Sequence, residues 1–231
     1  MKEDFRCGCV AILGRPNVGK STLLNSILGA KLSITSRKPH TTRQRLLGIH
    51  TTVDAQYLFL DTPGFQNKHS KGIGLDFNKI ITHVVTEADV LLLVVEAAPM
   101  TPADQIIIEL LPNDKPILLV VNKSDMLSNK TKLLPLLKSF SQHFTFAEIV
   151  PVSAKNNLNL QRLLTSLRQY LPVAEAQYDA DTFTDRSERF LAHELVREKI
   201  FRLLGDEIPY AVTVLVEKFE IKNRVRRIFC V

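Results

Sequence analysis

Cys9-Val10-Ala11-Ile12-Leu13-Gly14-Arg15-Pro16-Asn17-Val18-Gly19-Lys20-Ser21-Thr22-Leu23-Leu24-Asn25-Ser26-Ile27-Leu28 reads as an apolar strand, a loop bounded by glycines and an amphipathic helix. Gly14 to Ser21 fits the Walker A pattern, and its setting between strand and helix marks a nucleotide phosphate site. Without side chains, the glycines let backbone N–H groups close on phosphate oxygens at a helix N-terminus, where the peptide dipoles also favour an anion. Lys20 supplies a positive charge to the β- and γ-phosphates, and the Ser21 hydroxyl, followed by Thr22, suits Mg2+. Arg15, Pro16, Asn17 and Val18 complete the cradle. Gly29 is placed to stop the helix.

Outward from this unit, apolar runs alternate with helical patterns. Leu46 to Thr51 and Tyr57 to Leu60 read as short strands of a hairpin. Val90 to Val95 and Ile117 to Val121 are continuous apolar runs of the kind buried on both faces of a parallel sheet. Thr101-Pro102 supplies an N-cap and a first-position proline for a helix to about Leu111. A helix near Lys132 to Phe144, a strand near Glu148 to Val152 and leucines at helical spacing from Leu160 to Leu171 follow. Such alternation implies right-handed crossovers and a mostly parallel sheet, with the chemistry on loops beyond the strands' carboxyl ends.

The composition agrees with a folded, water-soluble chain: 231 residues, 45% hydrophobic and 23% charged. The longest apolar runs fall far short of the roughly 20 residues needed to cross a bilayer, and the first residues lack a signal-peptide core. A cytoplasmic protein is expected. Three cysteines suit free thiols better than a disulfide framework, and Cys7 and Cys9 read as packing residues. The net charge of +6 permits a polyanionic partner, either RNA or an anionic membrane surface.

Three further polar loops define the nucleotide. Asp61-Thr62-Pro63-Gly64 follows a strand about 40 residues after Lys20, the place of the second metal-side motif: Asp61 would hold Mg2+ through water and the Gly64 amide would sense the γ-phosphate. Asn122-Lys123-Ser124-Asp125 points to guanine. The Asp125 carboxylate can accept hydrogen bonds from guanine N1–H and the 2-amino group, whereas adenine presents an acceptor in place of that first donor. Asn122 would brace the site and approach N7, with the Lys123 stem along the base plane. In Ser153-Ala154-Lys155 the Ala154 amide is assigned to guanine O6. GTP or GDP with Mg2+ is the expected ligand.

Gly14 to Ser21, Ile34-Thr35-Ser36-Arg37-Lys38-Pro39-His40-Thr41-Thr42-Arg43-Gln44-Arg45 and Gly48-Ile49-His50-Thr51 together resemble the Era family of Ras-like, translation-factor-related GTPases. The likeness resumes in Thr184-Asp185-Arg186-Ser187, Glu194 to Lys199 and Leu204 to Tyr210. It implies GTP hydrolysis to GDP as a switch in assembly of the small ribosomal subunit, with 16S-type ribosomal RNA and the 30S-type subunit as partners of a monomer. By the same resemblance Lys31 to Arg45 is switch I, and Thr42, in preference to Thr41, reaches Mg2+. Asn17 resembles the potassium-coordinating asparagine of related GTPases, which adds K+ as a candidate cofactor. Phe65 stands where Ras-type enzymes place a water-orienting glutamine, and a phenyl ring cannot serve. Slow intrinsic turnover, raised by a partner or a monovalent cation, is expected, with Lys20, Asn17, Thr42 and Gly64 as the catalytic set.

The resemblance divides the chain into a GTP-binding domain (1–172), a linker (173–184) and an incomplete KH-like segment of the second topological type (185–231). Asp185 and Glu188 are expected to cap a helix reaching Leu204, and Ala211 to Phe219 to form a strand. Gly205 is the only glycine after Gly74, so the Gly-x-x-Gly loop that clamps RNA in KH domains is absent from this sequence. The expectation is therefore a family member truncated inside its RNA-binding domain, with weak local stability from residue 186 onward. The fold class is thus α/β, a P-loop GTPase domain with a partial α+β segment behind it. Two other readings stay open. One is a GTP-binding regulator of the cell cycle or of a membrane surface, peripheral at the inner membrane; the other is a form that binds nucleotide but not RNA.

Overall fold

The computed structural model describes residues 4–34, 46–61, 85–127, 129, 131, 133–203, 214–219, 221–222 and 225–226. Six strands form one sheet: β1 (Arg6–Leu13), β2 (Leu46–Thr51), β3 (Ala55–Asp61), β4 (Val90–Glu96), β5 (Ile117–Asn122) and β6 (Glu148–Pro151), in the order β2-β3-β1-β4-β5-β6. Only β2 runs antiparallel to its neighbour, as the edge of the β2–β3 hairpin. The parallel pairs place the ends of β1, β3, β4 and β5 side by side.

Alternation within the apolar runs builds two cores. Val90, Leu92 and Val94 of β4 face one side, where Val10, Ile12, Tyr57 and Phe59 meet α1 (Lys20–Leu28) and α4 (Leu160–Arg168). Leu91, Leu93 and Val95 face the other, against α2 (Pro102–Glu109) and α3 (Leu133–Ser141). Every residue of β4 but Glu96 is buried, and each such side chain contributes about 1.5–3 kcal/mol by leaving water. Gly29, at φ 62, ends α1 in the left-handed region, which glycine enters without a Cβ clash. Thr101 and Asp104 close a reciprocal capping box at the start of α2, satisfying backbone N–H groups that the first helical turn leaves over.

Residues 173–184, expected as a linker, are strapped to the sheet. Cys7 N donates to Pro172 O (3.1 Å) and Ala174 N to Phe5 O (3.2 Å). The buried Gln56 then acts as a surrogate strand: its Oε1 accepts from Gln177 N (2.7 Å) and Tyr178 N (3.0 Å), and its Nε2 donates to Tyr178 O (2.8 Å). Farther on, Ile49 N donates to Phe183 O (2.9 Å), and Thr184 Oγ1 donates to Leu47 O (2.8 Å). The strap thus covers part of the β2 edge, whose unpaired groups would otherwise be open.

The helix after it, α5 (Glu188–Leu203), is capped by Ser187 and not by Asp185. Phe190 N donates to Ser187 Oγ (3.2 Å), while Asp185 lies 3.6 Å from the guanidinium of Arg186. The pattern chose Asp185 because a carboxylate also serves as a cap; the serine stands one residue before the first helical turn. One face of α5 is docked, with Ala192, Glu194, Arg197 and Glu198 buried, while Leu195 and Leu203 are exposed. Residues 214–219 of the expected Ala211 to Phe219 strand carry no strand pairing. Beyond them, β7 (Ile221–Lys222) and β8 (Val225–Arg226) form a short antiparallel pair. No helix of the described residues is long and apolar enough to cross a membrane.

Candidate functional site

The loop after β1 turns through left-handed conformations at Gly14 (φ 143), Asn17 (φ 67) and Gly19 (φ 99). A Cβ on Gly14 would lie 2.3 Å from Val94 O, and one on Gly19 would lie 2.4 Å from Asn122 Nδ2. The two glycines therefore let the loop press against the ends of β4 and β5. Inside this loop the Lys20 ammonium donates to Gly14 O (2.8 Å) and Arg15 O (2.9 Å). Burial pushes its pKa down to about 8, against the opposing pull of Asp61. An ammonium held at the edge of losing its proton favours an anion that restores the charge.

Asn122 ties three of the predicted motifs together. Its Nδ2 donates to Val18 O (2.9 Å), and its Oδ1 accepts from Ala154 N (3.0 Å). Ser26 of α1 donates to Ala154 O (2.7 Å), so the Ser-Ala-Lys loop is fastened to the helix behind the phosphate loop. Asn122 is buried and engaged at both ends of its amide, and the Ala154 amide already has a partner within the protein. Asp125 is exposed beyond the end of β5, and Lys155 is exposed beside Ala154. Ser153 is buried, and its backbone pairs with Leu158.

On the metal side, Asp61 at the end of β3 is fully buried and its Oδ2 accepts from Ser21 Oγ (3.3 Å). A buried carboxylate beside a serine hydroxyl is a set of hard oxygen donors. Mg2+ prefers such a set, with one or two carboxylates or hydroxyls, retained waters and substrate phosphates. The residues fit that ion. Thr41, Thr42, Thr62, Pro63, Gly64 and Phe65 lie outside the described residues.

Sequence reasoning missed several members. Glu96, at the end of β4, pairs with Arg15 (2.5 Å) and with the Lys123 ammonium. Burial pushes its carboxyl pKa up, but the hydrogen bonds from Lys123 and Arg15 outweigh this and hold it below the usual range. Glu96 thereby joins the phosphate loop to the guanine-side loop. Arg15 also reaches the α2 cap, with Nε 3.2 Å from Asp104 Oδ1. The available signal was position: Glu96 is the polar residue at the carboxyl end of a buried strand, where open α/β sheets carry their ligands. Ser33 and Asn25 were likewise unread. Ser33 Oγ donates to Asp61 Oδ2 at 2.7 Å.

Residues 9–123 match the family described as 50S ribosome-binding GTPase. GTPase Era of Nitrosomonas eutropha is 46% identical over 98% of this chain and 76% of its own length. GTPase Era of Chromobacterium violaceum is 47% identical over 97% of this chain and 76% of its own length. The chain belongs to the GTPase Era family. Among solved structures, Era in complex with MgGDPNP and nucleotides 1506–1542 of 16S ribosomal RNA superposes with a TM-score of 0.86. It is 39% identical, over 95% of this chain and 74% of that one. An Aquifex aeolicus Era variant bound to GDP·AlF4− gives the same TM-score and identity over 95% of this chain and 75% of that one. The Era likeness thus extends through the strap and α5, well past the region matched by the general GTPase family.

Proposed function

We propose that this chain binds GTP with Mg2+ in the loop Gly14 to Ser21, hydrolyses it to GDP, and uses the two nucleotide states to switch its hold on small-subunit ribosomal RNA. The observation that carries the nucleotide reading is the Asn122 brace, which brings the phosphate loop and the Ser153-Ala154-Lys155 loop to one sheet end. Asp125 accepts the guanine N1–H and amino donors. Ala154 N–H shares its proton between Asn122 Oδ1 and guanine O6, and the Lys123 stem, held by Glu96, lies along the base.

Lys20 leaves the loop carbonyls for the β- and γ-phosphates, exchanging neutral acceptors for charged ones. Ser21 and Asp61 hold Mg2+, directly and through water, together with a threonine of the switch loop, Thr42 or Thr41. Bound there, Mg2+ supplies charge neutralisation of the phosphates. The Gly64 amide is assigned to the γ-phosphate. Phe65 stands in place of the usual glutamine, and Asn17, exposed on the loop surface, is the residue that would hold a K+ ion, whose positive charge would help neutralise the phosphates. The RNA partner is taken over from the relative crystallised with 16S ribosomal RNA, and α5 with the basic residues Lys222 and Arg226 is the part of this chain that would meet it. We place the protein in the cytoplasm.

Two measurements test the reading together. GTP turnover should be at least severalfold faster in K+ than in Na+, and the Asn17→Ala variant should lose that difference; equal rates in both salts remove the cation role. Filter binding of a 3′ fragment of small-subunit RNA should be tighter with a non-hydrolysable GTP analogue than with GDP and should weaken with salt. Nucleotide-independent or absent RNA binding would favour a GTP-binding module without RNA output, and binding to anionic vesicles would favour a membrane-surface role.

A further inference from the structure

Asp61 Oδ2 accepts from two hydroxyls. Ser21 Oγ, at 3.3 Å, belongs to the phosphate loop, and Ser33 Oγ, at 2.7 Å, does not. Ser33 stands beyond the end of α1, only 1% exposed, and its own position is fixed by Asn25. The Asn25 Oδ1 accepts from Leu32 N (3.0 Å) and Ser33 N (2.9 Å), while its Nδ2 donates to Ser33 O (2.8 Å). Three hydrogen bonds from one side chain, one to Leu32 and two to Ser33, hold the loop backbone where no helix or strand does so.

The geometry points to Ser33, held by Asn25, as a positioning residue that orients the Asp61 carboxylate for Mg2+. This rests on the proposed Mg2+-dependent nucleotide site. The Ser21 hydroxyl has a second task there, because its oxygen lone pair is assigned to the metal. Ser33 has none, so its shorter hydrogen bond fixes the carboxylate whatever Ser21 does. With neither Ser33 nor Asp61 open to solvent, water cannot readily replace the lost hydroxyl, and Asp61 would keep its charge while Oδ2 loses the shorter of these two contacts. A carboxylate that reaches Mg2+ through ordered water depends on direction, since Mg2+ demands near-octahedral geometry. Ser33 is assigned to neither metal nor nucleotide. Its effect passes through Asp61.

The test is binding of a fluorescent GDP by the full chain, measured with Mg2+ and with EDTA, for wild type, Ser33→Ala, Ser33→Cys and Asp61→Asn. Each Ser33 variant should lose about tenfold in affinity with Mg2+, the weight of a hydrogen bond to a charged group, and stay within about twofold of wild type in EDTA. Ser33→Ala placed on Asp61→Asn should add little further Mg2+-dependent loss, because the two act as a unit. Equal losses with and without Mg2+ would assign Ser33 a purely structural role and overturn the proposal, as would no loss in either medium. If wild-type affinity itself does not respond to Mg2+, the metal reading of Asp61 and Ser21 fails first, a result separable from failure of Ser33 alone.

Discussion

Lys20 is buried against two carbonyl oxygens, and its pKa is pushed down to about 8 chiefly by that burial. Phosphate oxygens beside it would stabilise the ammonium and raise the pKa, so nucleotide binding above pH 8 must draw in a proton. The sign follows: affinity from this group is full below pH 8 and falls as pH rises beyond it. GDP affinity measured in EDTA should be about tenfold weaker at pH 9 than at pH 7, and calorimetry in buffers of different ionisation enthalpy should register proton uptake at pH 9. A flat affinity from pH 7 to 9 would show that Lys20 is fully charged before the nucleotide arrives. The same depression means that the folded protein binds fewer protons than the unfolded chain between about 8 and the ordinary 10.5, so the Lys20 contribution to stability rises with pH across that window. The residues of this site that could be read in advance were those whose chemistry is local in sequence. Gly14 to Ser21 carries its meaning in eight consecutive positions, and Asn122 to Asp125 in four. Glu96 and Ser33 have meaning only through partners distant along the chain, which no spacing rule reports.

At the scale of elements, the buried strands were the most legible part, because a continuous apolar run that serves two cores leaves no polar alternative. The strap at 173–184 was not. It has no period, no Leu or Ile and no turn signature, and it is held by a glutamine on another element. Gln56 is fully buried and supplies both an acceptor and a donor to the Gln177–Tyr178 backbone. Its Nε2 also donates to Thr51 Oγ1 (3.0 Å). The substitution Gln56→Ala would leave the Gln177 and Tyr178 amides without their acceptor. These amides are only partly buried, so the loss expected in denaturant unfolding is about 1–2 kcal/mol, toward the lower end of what an unsatisfied group costs. Hydrogen exchange at those two amides should quicken in step, with β4 and β5 protected as before. A loss well under about 1 kcal/mol would mean that water takes over the role of Gln56 and that the strap is only draped on the sheet.

For the molecule as a whole, the question is whether α5 belongs to the sheet domain or hangs from it. The resemblance to a separate RNA-binding segment suggested independence and weak protection, yet α5 makes a charged contact with the loop beside the metal-side motif. Lys31 Nζ lies 2.5 Å from Glu198 Oε2, and Glu198 is only 1% exposed while Lys31 remains 41% exposed. Farther along the same buried face, Arg197 binds Glu194 through two hydrogen bonds of 2.8 Å. A buried carboxylate facing a partly solvated ammonium is sensitive to losing charge on the buried side. Glu198→Gln keeps the shape but removes that charge, and should destabilise the docking of α5 by about 1–3 kcal/mol. The midpoint of thermal unfolding would fall by about 2–4 °C per kcal/mol for a chain of this size. Hydrogen exchange should rise along residues 188–203, while β1, β4 and β5 keep their protection. Lys31 and Ser33 are separated only by Leu32, so loosening at Glu198 acts on the same short segment that holds Asp61. The Mg2+ dependence of GDP binding should therefore weaken in Glu198→Gln as well, though less than in Ser33→Ala, where the hydroxyl itself is removed. If exchange in α5 rises while Mg2+ dependence stays at the wild-type value, docking of α5 and alignment of Asp61 are independent, and the Asn25 hydrogen bonds with the core packing of Leu32 suffice to hold Ser33.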